Sequence, residues 1–138
     1  RENVAYPTDP DSEGMSDDAT IMDALRRVNM ESAAERVGGL DTPAELSSMF
    51  SLGEQQRLQF ARVLLNKPKL VILDESTSAL DLENEDAMYQ LLKAMGVTTV
   101  SVGNRPSLVK HHDRLLRVQG GGEWSFEDPD LQSEEYSE

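Results

Sequence analysis

Two adjacent acidic residues, Asp74 and Glu75, directly follow the aliphatic run LVIL at residues 70–73. In nucleotide hydrolysis, a first acid at such a position holds a magnesium ion directly or through water, and a second acid orients the attacking water. A buried strand that ends in two exposed turn acids explains the same residues. The acidic pair alone therefore does not decide between a catalytic and a structural role.

The segment SLGEQQR at residues 51–57 opens a predicted helix with a hydroxyl residue and a glycine. Free backbone N–H groups and the helix dipole at such a start favour an anionic phosphate, with Ser51 and Gly53 as the contact residues. An ordinary N-cap at Ser51, with Glu54 in the capping-box position, accounts for the same residues without a ligand. Both interpretations stay open for this motif taken by itself.

A strand, helix, strand unit is predicted around the two acids. The aliphatic run at residues 70–73 is typical of a strand that is buried on both faces of a parallel sheet. Apolar residues at helical spacing over residues 82–95 predict a helix that ends at Gly96, and the β-branched residues of 97–102 predict a second strand. A crossover of this length implies two parallel strands, and hence an α/β fold.

The carboxyl ends of these strands are where ligands bind in sheets of this kind. Asp74, Glu75 and Asn104 all fall at that edge. The helix that starts at Ser51 ends before Pro68, so it leads directly into the first strand. The predicted fold therefore brings the candidate residues to one side of the molecule.

The first fifty residues are predicted to be mainly helical. Residues 7–18 are acidic and rich in turn formers, which indicates an exposed loop. Apolar residues at helical spacing follow from Ile21 to Val28, and a second helical piece covers about residues 31–36. We expect the loop to lead into the first of these helices.

The C-terminal end differs in composition from the rest of the chain. Residues 113–119 predict a short strand, whereas residues 119–138 are glycine-led and acidic, and we expect them to be poorly ordered. We divide residues 1–118 into a helical subdomain, to about residue 66, and a part carrying the acids, from about residue 67 to 118.

Composition excludes several classes of function. The formal net charge of -13 argues against nucleic acid as a partner, because neutralising phosphates requires surplus Lys and Arg. The absence of cysteine excludes disulfides, a thiol nucleophile and thiolate metal sites. The apolar runs are too short for a membrane-spanning helix. Any membrane role therefore depends on a partner or on further sequence.

Three segments in order resemble motifs of the ATP-binding cassette (ABC) family. They are SLGEQQR at 51–57, LVILDESTSALD at 70–81 and VSVGNRPSL at 100–108, which resemble the signature, the Walker B motif with the D-loop, and the H-loop. RENVAYP at the start is similar to the stretch after the family's glutamine loop. The SLGEQQR variant resembles transporters of subfamily D and the bacterial group related to them. The resemblance covers about residues 1–118 and implies part of a P-loop NTPase-type cassette.

In this family two cassettes face each other, and ATP lies between the phosphate loop of one and the signature of the other. The resemblance implies ATP and Mg²⁺ as cofactors, with a second cassette and a transmembrane domain as partners. It also implies a membrane-associated cassette on the cytosolic or stromal side. The implied roles are phosphate contact by Ser51, Leu52, Gly53 and Glu54, a D-loop with Ser78 and Asp81, magnesium binding by Asp74, and catalysis by Glu75 as general base and Asn104 at the H-loop.

Two departures from the family pattern bear on activity. No GxxxxGK[ST] phosphate loop occurs in the sequence, so we expect a fragment of a larger protein that does not hydrolyse ATP alone. Asn104 stands where the family has its switch histidine, and an amide neither carries charge nor exchanges protons near neutral pH. His111 and His112 are too far along the chain to replace that histidine, and we expect them at the surface.

Three readings of function follow. The first is the ATP-hydrolysing domain of an ABC transporter. The second, which Asn104 and the missing phosphate loop suggest, is a non-catalytic cassette that pairs with a complete one. The third is part of a soluble ABC ATPase, which an upstream membrane domain would exclude.

Overall fold

The computed structural model describes residues 1–8 and 17–129 of the chain. Most of the predicted acidic loop at residues 7–18 lies outside the described residues. The elements, in chain order, are α1 (Glu2–Ala5), α2 (Asp18–Arg27), α3 (Ala33–Arg36), α4 (Leu46–Met49), α5 (Leu52–Asn66), β1 (Leu70–Asp74), α6 (Leu82–Met95), β2 (Thr98–Val102), a 3-10 helix (Pro106–His111), β3 (Leu115–Val118), a 3-10 turn (Gly120–Gly122) and β4 (Trp124–Glu127).

The N-terminal half is helical, as its apolar spacing predicts. Asp17 caps α2 by accepting a 2.6 Å hydrogen bond from the Thr20 N–H, and Ile21 and Leu25 of this helix are buried. The second predicted helical piece is α3. Helices α1 and α2 both pack against α5, which gives this half one shared apolar core.

Helix α5 begins and ends where the sequence indicates. Ser51 is its N-cap, and its apolar residues Leu58, Ala61, Leu64 and Leu65 are buried on one face. Lys67 at the C-cap adopts a left-handed φ of 45°, and Pro68 follows it, so the helix does not continue. The chain then turns directly into β1.

The β1–α6–β2 unit confirms the predicted parallel sheet and the α/β class. β1 pairs with β2 in parallel, with Leu70 opposite Thr98 and Asp74 opposite Val102. Gly96 ends α6 in the left-handed conformation at φ 65°, which glycine adopts without a Cβ clash. The strands therefore present their carboxyl ends at a common edge.

The prediction that β1 is buried on both faces is wrong for this structure. Val71 and Leu73 are buried, whereas Leu70 and Ile72 are 52% and 69% exposed. Alternate side chains point to opposite faces of a strand, and Val71 and Leu73 belong to the same apolar core as the helices. In the described residues, only that face of the sheet is covered.

The C-terminal end contains a hairpin rather than a fully irregular tail. β3 matches the strand predicted for residues 113–119, and β4 pairs with it antiparallel, with Leu116 opposite Phe126 and Val118 opposite Trp124. The expectation of poor order from residue 119 does not hold for β4, because its backbone is hydrogen-bonded to β3 and its alternating pattern provides a cross-strand partner for each residue. Residues 130–138 lie outside the described residues.

Apolar side chains from α1, α2, α5, α6 and β1 form one continuous hydrophobic cluster. This cluster joins both predicted parts of the chain, and the division near residue 66 stays a prediction. Among residues 1–8 and 17–129, no helix has the length and apolar character needed to cross a bilayer.

Candidate nucleotide-binding site

The two acids lie at the carboxyl end of β1, and both are exposed. Asp74 is the last residue of the strand. Glu75 has a left-handed φ of 47°, which is uncommon for a residue with a Cβ. Its N–H donates to the Val102 carbonyl at 2.9 Å, and its carbonyl accepts from the Ser78 N–H at 3.1 Å. The turn is thus fixed by backbone hydrogen bonds, while both carboxylates stay accessible.

The second strand brings Asn104 to the same edge. Asp74 lies opposite Val102 in the parallel register, and Asn104 is exposed in the loop that follows. The structure therefore places Asp74, Glu75 and Asn104 at the same edge of the sheet, as the strand pattern predicts.

The start of α5 shows the capping box that the alternative interpretation required. The Glu54 N–H donates to Ser51 Oγ at 3.3 Å, and the Ser51 N–H donates to Glu54 Oε2 at 2.8 Å. The first N–H that bonds to a backbone carbonyl within the helix is that of Gln55, 2.9 Å from the Ser51 carbonyl. The amides of Leu52 and Gly53 precede that bond, so the capping box leaves them for a ligand or water.

Glu54 carries a negative charge at the start of α5, where the sequence predicts contact with a phosphate, and Arg36 is its ion-pair partner. The Arg36 guanidinium forms an ion pair with Glu54, donates to the Met49 carbonyl at 2.9 Å and lies over the Phe50 ring at 4.7 Å. The Arg36 guanidinium and then the Ser51 N–H lower the pKa of Glu54 to about 2. The negative charge of Glu54 is therefore balanced within the protein.

Gln56 connects the start of α5 to the loop after the acids. Its side-chain amide donates to the Glu75 carbonyl and to Ser78 Oγ, both at 3.1 Å, and its oxygen accepts from the Ala79 N–H at 3.0 Å. Gln56 is only 7% exposed. Gly53 approaches the same loop so closely that a Cβ would lie 2.8 Å from the Ala79 carbonyl oxygen.

Sequence reasoning missed Gln56 and Arg36. Gln56 carried a local clue, because it is a polar residue among the apolar positions of a helix. Nothing in the local sequence points from Arg36 to Glu54, because the two residues lie 18 positions apart.

The two D-loop residues singled out from the sequence have different surroundings. Ser78 is exposed and is bonded to Gln56, as described above. Asp81 is the N-cap of α6 and accepts from the Asn84 N–H at 2.8 Å, and this hydrogen bond lowers its pKa. The Asp81 carboxylate therefore stabilises the start of α6.

The site suits magnesium and phosphate better than a metal cage. In the described part of the chain, no group of three His, Asp or Glu side chains surrounds a common point. Magnesium in nucleotide sites needs only one or two carboxylates besides phosphate oxygens and water. The exposed carboxylate of Asp74 fits that requirement. The open amides of Leu52 and Gly53 form a separate group of donors that a phosphate could accept from.

The histidines differ from the expectation of a surface position. The His111 side chain is 6% exposed and stacks on Tyr89 with ring centroids 4.5 Å apart. His112 Nε2 lies 2.8 Å from Ser101 Oγ, which also bonds to the Tyr89 hydroxyl at 2.8 Å. The histidines pack here because Tyr89 of α6 provides an aromatic surface next to β2.

Acids at the carboxyl edge of a parallel sheet, joined to the start of a helix with open amides, define part of a nucleotide-binding α/β domain. A profile of the ABC transporter family matches residues 1–78 of the chain. The chain belongs to this family.

Curated relatives extend the match beyond residue 78. An ABC transporter ATP-binding protein of Synechocystis sp. is 46% identical over 126 residues, which cover 91% of this chain and 19% of that protein. The lysosomal cobalamin transporter ABCD4 of Mus musculus is 44% identical over 131 residues, which cover 91% of this chain and 22% of that protein. The chain thus spans about a fifth of the length of the relatives it matches.

Solved structures agree with the family. A bacterial Atm1-family ABC exporter with ATP bound superposes with a TM-score of 0.64 at 28% identity, over 83% of this chain and 20% of that one. The chain is therefore part of an ABC transporter ATP-binding domain, with the cassette fold that the sequence predicted.

Proposed function

We propose that this chain is the part of an ABC transporter cassette that carries the hydrolytic acids and presents the signature helix to the nucleotide of a second cassette. ATP hydrolysis there would drive transport across a membrane. The matched relatives bear the names of transporters, which favours this function over a soluble ABC ATPase.

The observation that carries the proposal is the direct contact between the signature helix α5 and the loop that begins at Glu75. Gln56 bonds to both Glu75 and Ala79, and Gly53 lies against Ala79. A shift of α5 on binding a phosphate at its start would therefore act directly on the loop that follows the acids. Such a connection suits an enzyme in which nucleotide contact must reach the hydrolytic groups.

Each residue at the site has a role that its geometry permits. Asp74 would hold the magnesium ion, which neutralises phosphate charge when it is bound. Glu75 would accept a proton from the attacking water, for which its exposed carboxylate is accessible. The Leu52 and Gly53 amides, with Ser51, would donate to the terminal phosphate of ATP held by the second cassette. Ser78 and Asp81 lie in the D-loop, which would face that cassette.

The proposed partners are a second cassette and a transmembrane domain. The related ABC exporters are membrane transporters, and none of the helices in residues 1–8 and 17–129 spans a bilayer. We propose that the chain is held at the membrane by a transmembrane domain, with the cassette on the cytosolic or stromal side.

A second candidate is a degenerate cassette that assembles with a complete one and contributes only its signature helix. Asn104 favours this candidate, because its amide replaces an ionisable imidazole beside the hydrolytic acids. The two candidate functions differ in whether Asp74 and Glu75 of this chain take part in ATP hydrolysis.

A chimeric transporter separates them. The segment of the Synechocystis sp. relative that matches this chain is exchanged for the present sequence, and the purified chimera is assayed for magnesium-dependent ATP hydrolysis. We expect Glu75→Gln to lower kcat by about 100-fold or more, the usual contribution of a positioned general base. Glu83→Gln, an exposed acid in the first turn of α6, is the matched control and should change kcat by less than about twofold.

Equal activity of the Glu75→Gln and Glu83→Gln chimeras would refute the role of Glu75. A folded chimera that binds ATP without hydrolysing it, and gains activity with Asn104→His, would establish the degenerate cassette instead.

A further inference from the structure

Helix α6 carries a carboxylate that the proposed mechanism does not use. Glu85 is only 1% exposed, although Glu83 on the same helix is exposed. Its Oε2 accepts from Thr77 Oγ1 at 2.9 Å and from Arg105 Nη1 at 3.0 Å, while Ser107 Oγ donates to its Oε1. A carboxylate this deeply buried requires such partners to offset the loss of water.

The partners of Glu85 come from two different loops. Thr77 lies between the acids and the D-loop, in the loop after β1 at residues 75–81. Arg105 and Ser107 follow Asn104, in the segment of residues 103–108 that includes the start of the 3-10 helix and is called here the loop after β2. Arg105 also crosses between the loops, because its Nη1 donates to the carbonyls of Thr77 and Leu80 at 3.0 Å each. The loop after β1 and the loop after β2 are therefore joined by side chains of one small network.

This network resists relative movement of the two loops. Breaking up a buried ion pair by displacing one partner leaves a charge without water or a counter-ion, which is strongly unfavourable. A shift of one loop that left the other in place would break hydrogen bonds of this network. The network therefore favours movements in which both loops shift together.

We propose that Glu85 is a positioning residue that couples the loop bearing Ser78 to the loop bearing Asn104, so that the two hydrolytic loops move as one unit. The coupling itself is a property of this chain without nucleotide. Its meaning for hydrolysis rests on the proposed function.

Amide hydrogen exchange, measured by NMR on the 138-residue chain, tests the coupling directly. Ser107→Ala removes one donor to Glu85 from the loop after β2. We expect the N–H groups of Ser78, Ala79 and Leu80, in the other loop, to exchange about tenfold faster, as for the loss of a hydrogen bond to a charged group. Ser101→Ala, which removes a hydroxyl bonded to Tyr89 and His112, is the matched control and should leave these three amides unchanged.

The reciprocal perturbation starts from the loop after β1. Thr77→Val removes the hydroxyl that bonds to Glu85 and keeps the shape, whereas Thr77→Ser keeps the hydroxyl. Faster exchange of the Leu108 N–H, which bonds to the Arg105 carbonyl at 3.1 Å, is expected for the valine variant only. Exchange that changes only within the mutated loop, in either experiment, would overturn the proposal.

The chimeric transporter supplies a readout that loss of stability alone does not move. We expect Glu85→Gln to lower kcat per folded molecule at least about tenfold, with KM for ATP nearly unchanged, because the hydrolytic loops lose their alignment after binding. Met88→Ala, at a fully buried position of the same helix, lowers stability by removing apolar contacts but removes no hydrogen bond of the Glu85 network, and it should keep kcat per folded molecule. Equal kcat for both variants would overturn the positioning role.

The outcomes separate this inference from the proposed function. Coupled exchange in the chain, together with a chimera that does not hydrolyse ATP, would contradict the proposed function and support the coupling. A chimera that hydrolyses ATP, together with exchange that changes only within the mutated loop, would support the proposed function and contradict the coupling.

Discussion

Replacing Gly53 by alanine tests whether helix propensity or the close contact with the loop after β1 has the larger effect on stability, because the two effects have opposite signs. The residue lies in the first turn of α5, where alanine is normally the better helix former. A Cβ at this position would lie 2.8 Å from the carbonyl oxygen of Ala79 and 3.5 Å from Leu80 Cδ2. The closer atom belongs to the backbone, so it cannot rotate away, and either α5 or the D-loop must shift.

The two contributions to Gly53→Ala have opposite signs. Helix propensity favours alanine by about 1 kcal/mol. Forcing a methyl group into a filled space costs about 2 kcal/mol. We therefore expect a net loss of about 1 kcal/mol in the free energy of unfolding, which lowers the melting temperature by about 4 °C for a domain of this size.

Urea unfolding of the chain without nucleotide measures this change free of any effect on phosphate binding. Gly120→Ala is the matched control, because a Cβ there meets nothing within 4 Å, and its stability should change by less than about 0.5 kcal/mol. An increase in the stability of Gly53→Ala would show that helix propensity prevails, and it would refute the close contact between α5 and the D-loop.

Three further predictions concern polar groups of the same fold, each measured by urea unfolding. Gln56→Glu should lower the free energy of unfolding by about 2 kcal/mol or more, because a buried carboxylate cannot donate to the Glu75 carbonyl. Gln59→Glu, at an exposed position of α5, should leave it nearly unchanged, and equal effects of the two substitutions would contradict the buried hydrogen-bonding role of Gln56. Because the folded state lowers the pKa of Glu54 from 4.5 to about 2, the stability due to its ionised form should be present above about pH 4.5 and lost as the pH falls towards 2. Glu54→Gln should remove this component, and an unchanged pH profile would contradict the ion pair. Burial lowers the pKa of His111 below 6.5, so the free energy of unfolding should begin to fall as the pH drops below about 6.5. His111→Gln should remove this pH dependence, and a fall that persists in the variant would show that another group causes it.

The sequence by itself determined the helices α2, α3, α5 and α6, the strands β1 to β3, their order and the family. Short-range patterns sufficed for this, because helix caps, helical spacing and strand composition act over a few neighbouring residues. The capping box of Ser51 and Glu54, the end of α6 at Gly96 and the parallel pairing of β1 with β2 all follow from such patterns. The motif order of residues 51–108 identified the family, and with it the candidate nucleotide site.

Only the tertiary structure decided how the site is held together. Arg36 reaches Glu54 across 18 residues, Gln56 reaches Glu75 across 19, and Arg105 reaches Thr77 across 28. Such contacts depend on how helices and loops pack, and local spacing carries no information about them. For the same reason, the exposed face of β1 and the pairing of β4 were not predictable from residue patterns, because a face is buried, and a strand pairs, only where another element lies against it.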